Sequence, residues 1–352
     1  MKNLIALLLA PLSLIYWSIT AFRNHLYNIN YSRSFTFEKP VIAVGNLEVG
    51  GTGKTPMVEY LIRLLKDKYH LATLSRGYGR KTKGFILANE QQSPATIGDE
   101  PYQYFLKFSD KISVAVGEER AWAIPQILLE KPETEVFLLD DAFQHRKVKA
   151  DFNILLTRYS RPFYHDFPLP SGRLRESRNE ANRAQAIVVT KCPPDLVKAT
   201  MEAMKTAIER YAAKVPVFFS TINYLQPKRV FNNDSSFSEN IILFTGLANP
   251  QDVLSYAQRH FQLLEVATFP DHHRYQKSNL QKLTALYKKH EKLKPVLLTT
   301  EKDMVKIQQL ADENFRSMPV FYLPIAIQLL ENGKNFDSLV ENSILNKIQG
   351  EQ

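Results

Sequence analysis

The sequence predicts an α/β protein: a P-loop NTPase-like core of parallel strands, a second and smaller α/β domain, and a hydrophobic N-terminal helix. Three observations carry this reading. The stretch VGNLEVGGTGKTP (44–56) lies between a β-rich run, FEKPVIAVGN, and an apolar-periodic segment, MVEYLIRLLKDKYH, so a glycine-rich turn joins a strand to a helix. Downstream, short apolar runs alternate with helix-like segments in the manner of a parallel sheet with crossovers. Finally, no charged residue stands between Lys2 and Arg23.

That N-terminal run, Asn3 to Phe22, spans roughly 30 Å as a helix, long enough to cross or enter a bilayer. Pro11, Ser13, Ser18 and Thr20 weaken it as a simple spanning helix, while Tyr16, Trp17 and Arg23 suit an interface. Residues 1–28 are therefore expected to form a membrane-associated helix with a cytoplasmic body. A cleaved signal peptide and a buried core helix are the competing readings. No small-x-small cleavage site follows the run, and export would separate a nucleotide loop from its ATP.

In the loop itself, Gly50, Gly51 and Gly53 free backbone N–H groups to face phosphate oxygens, and the next helix presents its positive end. The nucleotide-binding segment is expected to comprise Val49, Gly50, Gly51, Thr52, Gly53, Lys54, Thr55 and Pro56. Lys54 would reach the β- and γ-phosphates, and the Thr55 hydroxyl would ligate Mg²⁺. The full pattern G-x-x-x-x-G-K-[ST] is not met, because Glu48 holds the first glycine's position.

The runs HLATLSRGYG, EVFLLDDAFQHR, DFNILLTRY and AQAIVVTKCPPD read as further strands. Active groups in such sheets gather at the carboxyl ends of strands, which singles out Ser75 to Arg80, Asp140 to His145, and Thr190 to Lys191. Asp140 and Asp141 close an apolar strand, where a phosphate-loop enzyme holds Mg²⁺ opposite the threonine; a helix N-cap is the alternative. Neighbours on a strand alternate in direction, so the two carboxylates are expected to do different jobs.

At 352 residues the chain has room for two domains, and its lone cysteine, Cys192, excludes an internal disulfide framework and a four-cysteine zinc site. The net charge of +9 favours an anionic partner, nucleic acid or an acidic membrane. With scattered lysines and no aromatic-basic recognition motif, a nucleic-acid-binding module is the weaker choice.

In order along the chain, VGNLEVGGTGKTP, SRGYGR (75–80), GDEP (98–101), DDAFQHR (140–146), LPSGRLRE (169–176), FTGLANP (244–250), FPDHHRY (269–275) and LLTTEKDMVK (297–306) form a motif series. This series resembles that of the tetraacyldisaccharide 4′-kinases, the lipid A kinases of bacterial outer-membrane biogenesis. The resemblance implies transfer of the γ-phosphate of ATP, with Mg²⁺, to the 4′-hydroxyl of a tetraacyldisaccharide 1-phosphate, giving lipid IVA at the inner face of the cytoplasmic membrane. Inner-membrane lipids are then partners, and no obligate protein partner is evident. It assigns Asp99 as general base, assisted by His272, and places Asp140 and Asp141 at the metal-binding strand end. An imidazole beside a carboxylate lends it basicity and orientation. Arg76, Arg80, Arg173 and Arg175 are candidates for phosphates of the substrate or ATP. TEKD (300–303) and TKCPPD (190–195) compete for a place near the adenine.

Two positions depart from the family pattern. Ala142 replaces a glycine, which would disfavour φ > 0 there. Glu48 replaces a small hydroxyl residue, and its charge would repel phosphate unless it turns away or meets a basic neighbour. The domains are expected at 29–219 for the kinase core, 220–240 for a hairpin-like linker, and 241–352 for the smaller unit. The rival activity is that of a phosphate-loop switch or transport ATPase, which needs a water-positioning residue in place of a sugar-accepting base.

Overall fold

The computed structural model describes residues 2–271 and 273–350, with side chains from residue 8 onward. After helix α1 (Lys2–Asn28) the chain builds its core from β1 (Val41–Asn46), α2 (Lys54–Leu65), β2 (Leu71–Ser75), β3 (Ile86–Leu87), α3 (Pro94–Ile97), α4 (Asp99–Phe108), β4 (Ile112–Val116), α5 (Arg120–Glu130), β5 (Val136–Asp140), β6 (Phe152–Arg158), β7 (Ala186–Thr190), α6 (Lys198–Glu209) and β8 (Val217–Tyr224). A second unit follows: β9 (Lys228–Arg229), β10 (Asn240–Thr245), α7 (Gln251–His260), β11 (Gln262–Thr268), α8 (Lys277–Lys289), β12 (Val296–Thr300), α9 (Glu301–Gln308), α10 (Glu313–Arg316) and β13 (Val320–Leu323).

The large sheet has the order β3-β4-β2-β5-β1-β6-β7-β8 along most of its width, parallel except for β3. Strand β1 lies between β5 and β6 with every residue buried, which is why VIAVGN is apolar without alternation. The parallel registers bring Ser75, Asn46, Asp140, Arg158 and Thr190 to one edge, the carboxyl edge, as expected. The second sheet, β11-β10-β12-β13-β9, is parallel except for β9.

The chain crosses between sheets twice at one place. Tyr224 ends β8 and Lys228 starts β9; on the way back only Pro324 separates β13 from β14 (Ile325–Leu329), and Leu225 N–H donates to Pro324 O at 2.9 Å. Strand β14 pairs antiparallel with β8 as the ninth strand of the large sheet, and α11 (Gly333–Gln349) packs on the core. The tail beyond residue 324 thus lies with the first unit, which a partition at 240 does not anticipate.

Phe336 of α11 is fully buried, with ring centroids 5.1 Å from Phe218 and 6.1 Å from Tyr60, and Tyr60 on α2 donates to Asp337 at 2.7 Å. The C-terminal helix therefore buttresses the helix that follows the glycine loop. Phe336→Ala should lower the unfolding free energy by about 3–5 kcal/mol in denaturant titration. A change below about 1 kcal/mol would mean that α11 is dispensable to the core.

Helix α1 presents two unlike faces. Toward the body, Ser13 Oγ donates to Ser171 Oγ at 2.8 Å, Tyr16 OH to Arg175 O at 3.0 Å, and Asn24 Nδ2 to Glu176 Oε1 at 3.1 Å. Away from it, Leu8, Leu12, Leu14, Ile15, Ile19 and Phe22 are exposed. No helix among the described residues is long and apolar enough to cross a membrane. Because these polar side chains bind the body, the helix leaves a one-sided apolar surface.

Candidate nucleotide and acceptor site

The loop after β1 turns into α2 at Gly53, whose φ of 87° and ψ of 27° are left-handed and suit a residue without Cβ. Asn46 Nδ2 donates to Thr52 Oγ1 at 2.8 Å, and Thr190 Oγ1 at the end of β7 donates to Thr52 O at 2.7 Å, so two strand ends hold the loop. Lys54, first in α2, has its Nζ 3.6 Å from Asp141 Oδ1 and 3.5 Å from Asn46 Oδ1. The loop lysine and the strand-end carboxylates thus face one another.

The two aspartates have opposite surroundings. Asp140 is buried at the end of β5; Tyr104 OH from α4 donates to its Oδ2 at 3.0 Å, and its Oδ1 has no hydrogen-bond partner among the described residues. Burial pushes it up to about 6, against the pull of Lys54 and with a further push from Asp141 and Glu100. At Asp141, burial also works against the charge, but Lys54 and Arg175 outweigh it and hold the carboxyl down at about 2. Arg175 grips it with both terminal nitrogens, at 2.9 and 3.3 Å, and also reaches the Asn46 side chain. The left-handed backbone here falls on Asp141, at φ 48°, and not on Ala142, whose N–H donates to Val44 O at 3.2 Å, so alanine is accommodated at 142.

Arg173 lies over the loop so closely that a Cβ at Gly50 would collide with its guanidinium. Glu48 turns inward: it is fully buried, 3.5 Å from Arg158 Nε, and burial raises its proton affinity against the opposing effect of Arg158. It has met the basic neighbour that keeps its charge from the phosphates. Arg80 is consumed elsewhere. Its side chain is buried, pairs with Glu118 at 2.6 Å and donates to Gly84 O, while Arg76 is exposed at the end of β2.

Asp99 opens α4, in the first turn where helix N–H groups favour negative charge. The preceding Gly98, φ 96°, packs on the SRGYGR loop: a Cβ there would come within 3.1 Å of Gly77 and of Tyr78 O. Because α4 also carries Tyr104, the elements bearing Asp99 and Asp140 are locked together. Lys306 of α9, in the second unit, sets its Nζ 3.3 Å from Asp99 Oδ2. His272 lies outside the described residues. Asp303 of TEKD is fully buried and accepts from Thr245 Oγ1, Gly246 N and Thr300 Oγ1 at 2.8–3.0 Å, so it braces its own sheet, whereas TKCPPD begins at the Thr190 that holds the loop.

Sequence reasoning missed Arg120 and gave no role to Glu176 or to His145, although His145 ends a stretch that it singled out. Arg120, at the start of α5, is buried with an unpartnered Nε; burial works against its charge and Asp141 supports it. His145 is pushed down to about 4, first by burial and then by Arg120, so it is neutral at pH 7. Glu176, buried, collects Arg23 and Arg183 at 2.6 Å and ties α1 to the LPSGRLRE loop. Nothing in their local sequence marks these roles except that two of them lie inside the quoted motifs.

Comparisons with known proteins identify the family. The family model described as tetraacyldisaccharide-1-P 4′-kinase matches residues 5–345. Among curated proteins, a tetraacyldisaccharide 4′-kinase of Flavobacterium psychrophilum is 42% identical over 347 residues, covering 97% of this chain and 98% of the relative. That of Cytophaga hutchinsonii is 40% identical, with 97% of each chain covered. The crystal structure of LpxK from Aquifex aeolicus in complex with ATP is 30% identical with a TM-score of 0.74, covering 97% of this chain and 99% of that one. The chain belongs to the tetraacyldisaccharide-1-P 4′-kinase family.

Proposed function

We propose that this protein is an ATP-dependent kinase that phosphorylates the 4′-hydroxyl of a tetraacyldisaccharide 1-phosphate, forming lipid IVA in lipid A biosynthesis. The observation that carries the reading is Lys54 facing the strand-end carboxylates across a glycine loop, in a chain that matches this family over residues 5–345.

The residues fit Mg²⁺. Asp140 keeps a buried carboxylate oxygen that has no hydrogen-bond partner among the described residues, a hard donor of the kind the ion prefers, and Thr55 would offer a hydroxyl beside the phosphates. Asp140 and Thr55 would hold the ion, which when bound neutralises charge on the β- and γ-phosphates. Lys54 takes the β- and γ-oxygens, and backbone N–H groups of the loop between Gly50 and Thr55 cradle the phosphates, while those of Val49 and Thr52 brace the loop on Arg173 O and Gly50 O, and Pro56 continues α2. Asp141 keeps Arg175 and Lys54 in place. Arg173, which overhangs Gly50, and Arg76, exposed at the end of β2, are the candidates for phosphate, whereas Arg80 supports the loop through Glu118. Asp99, assisted by His272, accepts the acceptor's hydroxyl proton as the sugar oxygen bonds to the γ-phosphorus and the bond to ADP breaks.

The exposed apolar face of α1 and the charge of +9 suit attachment to the anionic cytoplasmic face of the inner membrane, where an acylated substrate resides. Labelled γ-phosphate from Mg-ATP should appear in a tetraacyl disaccharide 1-phosphate presented in mixed micelles, and ADP formation should require that lipid. Release of free phosphate at one rate with or without lipid would assign the site to an ATPase instead.

A further inference from the structure

Helices α4 and α9 belong to different sheets yet run side by side in opposite directions, with an ion pair at each end. At one end Lys107 of α4 binds Glu301 of α9 at 2.6 Å and Glu59 of α2 at 2.5 Å. At the other, Lys306 of α9 reaches Asp99 Oδ2 at 3.3 Å.

The two lysines are differently supplied. Lys107 has two carboxylates, and Glu301 also accepts the N–H of Ile325 at the crossing between the sheets. The Lys306 side chain is only 9% exposed, and among the described residues its Nζ makes no hydrogen bond and has Asp99 as its ion-pair partner. Burying an ammonium is costly unless a carboxylate offsets it. Its backbone is fixed as well, since the start of α9 is tied by Asp303 to Thr245 and Gly246. A rigidly mounted, nearly buried lysine aimed at a single carboxylate is poorly explained by solubility or surface charge.

We infer that Lys306 is a positioning residue for Asp99, holding one carboxylate oxygen from the second unit so that the other is presented to the acceptor hydroxyl. This rests on the reading of Asp99 as general base. Because Lys306 arrives from the second sheet while Asp99 belongs to the first, the base is oriented only where α9 is docked on α4. The Lys107 cluster, which also holds α2 behind the glycine loop, keeps that docking in register with the nucleotide.

The test uses the full chain with Lys306→Met and Lys306→Arg, each also combined with Asp99→Asn. Misplacing a reacting group by about 1 Å costs about 10²-fold, so Lys306→Met should lower kcat by about 10–100-fold with ATP affinity unchanged. Lys306→Arg, which keeps the charge, should recover most of that rate. With Asp99 already replaced by Asn, removing Lys306 should cost no further rate. An equal further loss in that background, or a weakened ATP affinity at unchanged kcat, overturns the inference; the latter would make Lys306 a phosphate ligand. A slow Asp99→Asn beside a full-speed Lys306→Met defeats the inference alone, whereas a fully active Asp99→Asn defeats the base reading beneath it.

Discussion

Lys54→Met is expected to lower kcat/KM for lipid phosphorylation by about 10²–10³-fold, the usual effect of removing one preorganised charge or donor from a site of charge transfer. Lys54 lies 3.6 Å from Asp141, which Arg175 also grips with two nitrogens. When phosphates arrive, Lys54 can turn to them while Asp141 keeps Arg175, so no carboxylate is left unpaired. The methionine variant loses this and a second effect. Lys54 is the foremost group opposing the burial that pushes Asp140 up to about 6. Without it, Asp140 stays protonated to higher pH, and a proton must leave before Mg²⁺ can bind. Mg-ATP affinity in the variant should therefore keep rising with pH beyond the point at which the wild type levels off. Lys54→Arg should not restore the rate, because a planar fork does not replace a compact ammonium in a closed loop. Rate assays with calorimetric titration of Mg-ATP would decide, and a loss under about tenfold would remove Lys54 from the transition state.

Features set by contiguous residues were readable in advance. The loop from Val49 to Pro56 joins β1 to α2, and Asp140 closes β5, because an apolar run, a turn and a periodic helix are local signals. Features that depend on distant partners were not readable. Glu48 looked like a charge against the phosphates, yet its outcome is decided by Arg158, which arrives on another strand. Arg80 and Arg175 looked equivalent as arginines beside glycine turns, but Glu118 takes the first and Asp141 the second. TEKD is a candidate for the adenine in sequence, yet its aspartate is an internal brace, while the lysine three residues further on is the one that meets Asp99. The return of β14 to β8 escaped for a similar reason: IAIQLL is short and apolar, and only the pairing shows which sheet it joins.

Asp99→Asn should lower kcat by about 10²–10⁴-fold with ATP affinity preserved, the range for loss of a general base. Its place supports this expectation. Asp99 opens the helix whose Tyr104 touches Asp140, and its loop packs on the strand end that carries Arg76, so its carboxylate belongs to the same assembly as the nucleotide loop. Asparagine keeps the size and the helix start but cannot accept the proton that the acceptor hydroxyl must lose. The substitution also leaves the nearly buried Lys306 without its carboxylate, so some stability should go with the rate. Two readouts separate these losses. If chemistry is what is lost, the rate deficit persists at 10 °C, where the variant is folded, and ATP titration remains normal. If Asp99 is needed only to neutralise Lys306, then Asp99→Asn combined with Lys306→Met, which removes both charges, should regain near wild-type turnover. That regain would strip Asp99 of its role as base while leaving the nucleotide site, built on β1 and β5, intact.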